Sequence, residues 1–148
     1  MNIAQLKEVL FKQATIFETG GYRPTEELGE SWIGKVLWGK EENIPSQFEP
    51  LCTIFLNELP YVPEELKNIQ LITIYMDFNV YDHLNDDNLA PFFMINCYTN
   101  LNGLLKINNQ SVRMRSFPLI PKLVNNDTPA WDSEDIETEV QDEILHLE

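Results

Sequence analysis

Along this chain the spacing of apolar positions changes several times, and each change marks an element. Ile3, Leu6, Leu10 and Phe17 follow three-and-four spacing, with Val9 and Ala14 widening the stripe and Lys7, Glu8 and Lys12 turned away. That period predicts an amphipathic helix over residues 1–20, ended by Gly20-Gly21, where glycine adopts a left-handed C-cap at no steric cost. Gln13 interrupts the stripe. Tyr22 to Gly29 is polar, contains Pro24 and reads as a loop. From Ser31 the period shortens: Trp32, Ile33, Val36, Leu37 and Trp38 lie among glycines, which suits a strand or hairpin arm. After a polar loop from Lys40 to Pro50, Leu51 to Leu56 is an apolar run of strand length. Pro60 and Pro63 close it, and Pro63-Glu64-Glu65-Leu66 resembles a one-turn helix start. Gln70 to Met76 is nearly apolar throughout, the signature of a central strand covered on both faces.

Beyond it, Asp77 to Asn88 forms an acidic, asparagine-rich loop. Pro91 to Tyr98 and Leu104 to Ile107 read as strands. Ser111 to Ile120 alternates, with Val112, Met114 and Phe117 against Arg113 and Arg115, as a strand with one wet face or an edge strand stopped by Pro118 and Pro121 would. Near the C-terminus, Asp132 or Ser133 can cap a helix whose Ile136, Val140, Ile144 and Leu147 share one face. Strands come in series and outnumber helices. The class is therefore α+β, a mainly antiparallel sheet with an N-terminal and a C-terminal helix packed on it. We expect one domain over 1–148, with a β-rich core at 31–121 and an acidic helix at 132–148.

Charge changes the picture most. Among 148 residues, 24 acidic against 10 basic side chains give a net charge of −14. Such a field repels phosphate, which argues against nucleic acid and against anionic membrane surfaces. No apolar run approaches the ~18 residues of a membrane span. Lys7, Glu8 and Lys12 interrupt the N-terminal segment, which is therefore no signal peptide. The two cysteines, Cys52 and Cys97, sit in strand-like runs and read as buried free thiols, pointing to a reducing, cytoplasmic setting.

Candidate chemistry is sparse. Asp77, Asn79, Asp82, Asp86 and Asp87 offer oxygen to a hard cation, but their spacing departs from the calcium-loop pattern and its glycine is missing. A solvated turn is the reading, with a weak calcium site as the alternative. His83 and His146 have no partner at metal-ligand spacing. A nucleophile elbow, a P-loop and a dinucleotide fingerprint are all missing, so no catalytic residue, metal or cofactor is assigned. Trp32, Trp38, Tyr61, Tyr75, Phe92 and Phe93, with Trp131, could line an aromatic pocket or simply build a core.

From Asp132 onward the chain carries acids and no Lys or Arg. These acids either face water or form a surface for a basic protein partner. The second reading nominates Asp135, Glu137, Glu139, Asp142 and Glu143, then Asp82, Asp86 and Asp87.

The run Glu30 to Gly39 followed by Pro45, then Pro50-Leu51-Cys52 and Leu56 to Leu66, resembles the opening of YwqG-like bacterial proteins. Leu71 to Asp77, Leu101 to Leu104, Phe117 to Pro121 and Trp131-Asp132 continue the likeness, which spans most of Glu30 to Asp132. The resemblance implies an α+β fold, with a related second half in longer members. It carries over no catalytic residues, and it implies a domain of unknown function or an immunity protein encoded beside a bacterial toxin. Lys35 stands where many members have a glycine, and Thr53-Ile54 where many have Gln followed by Ile or Leu. Protein recognition, with a toxin as the partner, is thus the expected function. A small-molecule or housekeeping domain is the rival.

Overall fold

The computed structural model describes residues 3–21, 23–41, 43–128 and 137–145; the side chains of 3 and 143–145 lie outside that description. It is mostly antiparallel sheet, with a short helix near each end. The elements are α1 (Ile3–Leu10), β1 (Lys12–Glu18), β2 (Ser31–Ile33), β3 (Lys35–Gly39), β4 (Phe48–Phe55), β5 (Leu71–Asp77), β6 (Phe93–Tyr98), β7 (Leu105–Gln110), β8 (Phe117–Asp127) and α2 (Thr138–Leu145). Single 3-10 turns fill connections, among them Glu64–Leu66 where Pro63 and two acids foretold one.

Six strands form one sheet in the order β1-β8-β2-β4-β5-β6, and β3 pairs with β7 as a separate ribbon. Register places Pro118, Trp32, Thr53 and Thr73 in one row across β8, β2, β4 and β5. Phe55 and Leu71 sit in the next row, and Tyr75 follows Thr73 on the same face. The ribbon packs against this face, and Val36, Leu37, Phe55, Leu71 and Tyr75 are sealed between the layers. A threonine joins them. Buried Thr53 Oγ1 accepts from the Leu37 amide at 3.0 Å and donates to the Lys35 carbonyl at 3.2 Å. One hydroxyl thus satisfies two backbone groups that no ladder reaches, which keeps them from being orphaned in the core.

The passage from sheet to ribbon is made at Gly34. Its φ of +76° is costly for any residue with a Cβ, and an added Cβ would overlap the Arg115 carbonyl. Its amide donates to Leu51 O at 2.6 Å, and its carbonyl accepts from Ser111 N at 3.0 Å. One residue changes sheets here, so the run read as a single strand is two, β2 and β3.

Two expectations are corrected. The helix assigned to 1–20 stops at Leu10, and Lys12–Glu18 is an edge strand paired with β8. The break at Gln13 is where the period switches: Thr15 and Phe17 are half-buried while Gln13 and Ile16 are exposed. The β-branched pair Thr15-Ile16 and the available edge of β8 outweigh a continued helical stripe. Likewise β8 does not end at its prolines. It begins at Phe117 and runs to Asp127 through both. Pro118 lies opposite Trp32, and Pro121 opposite Phe17. Each must occupy a non-hydrogen-bonded pair, so its missing N–H points to the side where the other neighbour is absent at that level. Prolines are tolerated because β1 and β2 flank different stretches of β8.

Residues 111–116, expected in a strand, form a loop. Glu49 is the cause. Its Oε2 accepts from Ser111 Oγ, Val112 N and Arg113 N at 2.8, 3.0 and 3.3 Å, and Oε1 pairs with Arg113 Nε at 3.1 Å. Backbone donors satisfied by a carboxylate have no need of a neighbouring strand. At the other end of the chain Val140 packs on Leu6 and Leu10, joining α2 to α1. Of the acidic helix expected over 132–148, Thr138–Leu145 is observed and 132–136 and 146–148 lie outside the described residues.

These contacts predict a sharp contrast between two glycines. Gly34→Ala combines left-handed strain with overpacking and should cost about 3 kcal/mol in chemical denaturation. Gly103→Ala, at φ +70° with open space around it, should cost about 1 kcal/mol. Equal losses would show that Gly34 is not a tight crossing.

Candidate functional site

The nominated acids fall in two places. Asp82 ends a 3-10 turn (Phe78–Asp82) that Asp77 caps by accepting from Asn79 N at 2.9 Å. Asp86 is engaged by His83, whose Nδ1 lies 2.8 Å from Oδ2, and the His83 ring rests on Phe92. Asp82 and Asp87 are exposed, and their side chains meet no partner among the described residues. On α2 and just before it, the same holds for Glu137, Glu139 and Asp142. Asp135 and the Glu143 side chain lie outside the described residues. The turn does not gather its carboxylates: among the described residues no three His, Cys, Asp or Glu side chains could hold a metal ion.

Among the described residues, Trp32, Tyr61 and Tyr75 do not share one pocket. Trp32 lines a cleft of about 380 Å³, Tyr75 another of about 700 Å³ beneath the β3–β7 ribbon, and Tyr61 a third. Trp131 is outside the described residues. Of the two thiols, Cys52 is buried and Cys97 is exposed, which corrects the expectation that both are internal. Cys97 is on the edge strand β6, where nothing pairs with its outer side among the described residues. The two flank β5 from opposite sides, opposite Ile74 and Ile72, so about 10 Å separates their strands. That is beyond disulfide reach. Burial pushes the Cys52 thiol up to about 11, leaving it protonated and poorly nucleophilic at neutral pH.

The most unusual local chemistry was not nominated by the sequence. Lys35 opens β3 directly after the Gly34 crossing, and its side chain is 2% exposed. Its Nζ sits 3.9 Å from the centre of the Trp32 ring and donates to Glu26 Oε1 at 2.8 Å. The other oxygen of Glu26 takes Lys106 Nζ at 3.2 Å, so one carboxylate bridges two ammonium groups. Glu26 is held in place by its own loop. The Glu30 carboxylate accepts from Thr25 N, Thr25 Oγ1 and Glu26 N at 3.0, 2.9 and 2.6 Å, and Glu26 takes a φ of +58°. This is positional strain bound by charge-assisted hydrogen bonds. A fully buried ammonium without a carboxylate and a ring face would be expensive, and this site supplies both.

The lone Lys within Trp-Ile-Gly-Lys-Val-Leu-Trp was a usable signal for a buried cation, because every neighbour is apolar or glycine. Its carboxylate partner and Lys106, 80 residues from it, could not be read from spacing. The Lys35 hydrogen bond, followed by that of Lys106, holds the Glu26 carboxyl below its ordinary 4.5. Burial works against the Glu49 charge, but Ser111, the Val112 and Arg113 amides and the Arg113 guanidinium together hold that carboxyl low as well. No family model, curated protein or solved structure matches the chain.

The two depressed carboxyls contribute to the acid behaviour. A carboxyl that titrates lower when folded binds fewer protons than in the unfolded chain, so stability rises with pH across that interval. The contribution is present above the unfolded value near 4.5 and is lost as pH falls through the lower folded value. Glu26→Gln should therefore melt below wild type at neutral pH, and the gap should close as the solution is acidified below 4.5. A gap independent of pH in thermal melts would show that the two lysines do not stabilise the Glu26 charge.

Proposed function

We propose that this protein acts by binding a basic protein, in the manner of a bacterial immunity protein that neutralises a toxin, and not by catalysis. The observation that carries the reading is a set of exposed carboxylates that meet no partner among the described residues. Lys35, Lys67, Lys106, Arg113 and Lys122 are already in ion pairs with acids among the described residues. Asp82, Asp87, Glu137, Glu139 and Asp142 are exposed and meet no partner among the described residues. An exposed acidic surface speeds encounter with a cationic cleft and competes there with phosphate. The resemblance to YwqG-like proteins, some of them similar to immunity proteins, points the same way.

The site's other chemistry supports a binding role. The Lys35 ammonium is committed to Glu26, and the buried Cys52 thiol is protonated. Neither is a poised nucleophile.

The reading is tested on the partner recovered from native cells and then purified. Replacing Glu137, Glu139, Asp142 and Glu143 together with Ala should slow association and flatten its dependence on ionic strength, with dissociation less affected. An association rate that ignores salt in the wild type, or is unchanged in the quadruple variant, would contradict it.

A further inference from the structure

We infer that β6 is a self-association edge, to which a second copy of this chain adds its own β6 antiparallel, across a two-fold axis at Ile95. The inference makes no use of α2 and stands apart from the basic-partner reading. β6 is the last strand of the six-stranded sheet, and no strand lies beyond it among the described residues. Tyr98 O accepts from Gln70 N at 2.8 Å, so the Tyr98 backbone faces β5. Antiparallel alternation turns Met94 and Asn96 the same way and directs the N–H and C=O groups of Phe93, Ile95 and Cys97 outward.

Three observations point to a strand as the occupant, and to a copy of this one. First, the two ends of the sheet are treated differently. β1, at the far end, carries Lys12 and Glu18, pairs Glu18 with Lys122 and breaks register between Lys12 and Ala14. Charges and bulges of that kind keep an edge from taking a further strand. β6 reads Phe-Met-Ile-Asn-Cys-Tyr, holds register throughout, and has neither charge nor proline. Second, two residues with outward backbone groups are also open on the face of the sheet: Ile95 is 57% exposed, and Cys97 is exposed. Ile95 continues the row of Ile74 and Cys52, and Cys97 that of Ile72 and Ile54, so an added strand extends an apolar face. Third, the two ends of β6 carry opposite charge. His83, bonded to Asp86, rests on Phe92 just before β6 begins, and the same turn exposes Asp82 and Asp87. Where β6 ends, Lys40 Nζ lies 5.4 Å from the centre of the Tyr98 ring and meets no carboxylate among the described residues. Pairing all three outward residues sets Phe93 of each copy opposite Cys97 of the other. It also brings each acidic turn toward the other copy's Lys40, a self-complementary contact that closes as a dimer. Two chains of net charge −14 repel, but at physiological salt that field is screened beyond about 8 Å. The strands that meet are uncharged, and the ends that meet attract.

Sedimentation velocity of the full chain, with no other protein present, is the test. The mass should rise from one chain toward two between about 1 and about 500 μM, the range in which small interfaces associate. Ile95→Lys changes an exposed side chain and should leave the melting temperature unchanged while abolishing the dimer. Ile16→Lys, also exposed but on β1, should leave both unchanged. Lys40→Glu should weaken association about three- to tenfold, and adding Asp82→Lys and Asp87→Lys should restore it. A nitroxide on Ile95→Cys, in a Cys97→Ser background, should give a spectrum broadened by the label of the second copy, because paired strands bring the two Cα atoms to about 5.5 Å. A chain that stays monomeric, a dimer that survives Ile95→Lys, or a label that shows no broadening in the dimer would overturn the inference. A monomer whose Ile95→Lys variant instead loses a different protein in native cells would also overturn it, and would assign the edge to that protein.

Discussion

The structure turns on one crossing. At Gly34 the chain leaves the six-stranded sheet and enters the ribbon above it, held by Leu51 O on its amide and Ser111 N on its carbonyl. Everything around this point depends on the close approach. The backbone of Arg115 and Ser116 lies against the Gly34 Cα, which leaves no room for a side chain. Thr53 then ties the first residues of the ribbon to the central strand, and the Glu49 carboxylate shapes the loop that supplies Ser111. Steric exclusion, a two-way hydroxyl and a carboxylate anchor act within a few residues of one another. Their effects are coupled, so removing any one should be felt by the others.

The crossing also explains the buried charge. A strand that continued in the first sheet would carry Lys35 along its surface. The change of layer instead turns Lys35 inward, where its ammonium would be uncompensated without the Trp32 ring and the Glu26 carboxylate. The Glu26 loop, cinched by Glu30, is therefore a surface loop that compensates a buried charge. Charge is distributed unevenly as a result: compensated by ion pairs near the crossing, and negative on α2 and the 82–87 turn.

How much of this was legible in the sequence depends on the range of the interactions. The strand at Leu71–Asp77 and the turn at Glu64–Leu66 follow from local composition, and they appear where apolar density and proline placed them. Failures occur where a distant partner decides. Thr15 and Phe17 fit a helical stripe until β8 offers an edge, and Val112 and Met114 fit a strand until Glu49 takes their loop's donors. Pro118 and Pro121 read as stops because the sequence does not show that β1 and β2 flank different stretches of β8. The Glu26–Lys106 contact spans 80 residues and has no local signature at all. The nominated acids were recognisable by type; that Asp82, Asp87, Glu137, Glu139 and Asp142 meet no partner among the described residues, while Asp86 meets His83, was not.

The central claim is that the Gly34 crossing internalises Lys35 against Trp32 under the Glu26 carboxylate. It is tested most directly by proton–nitrogen spectroscopy of the lysine ammonium groups. Of the seven lysines, one should give an ammonium signal that exchanges slowly with water at neutral pH and is displaced by the ring current of Trp32. That signal should vanish in Lys35→Met and gain exchange rate in Glu26→Gln. Ammonium groups that all exchange at one solvent-limited rate would contradict the account.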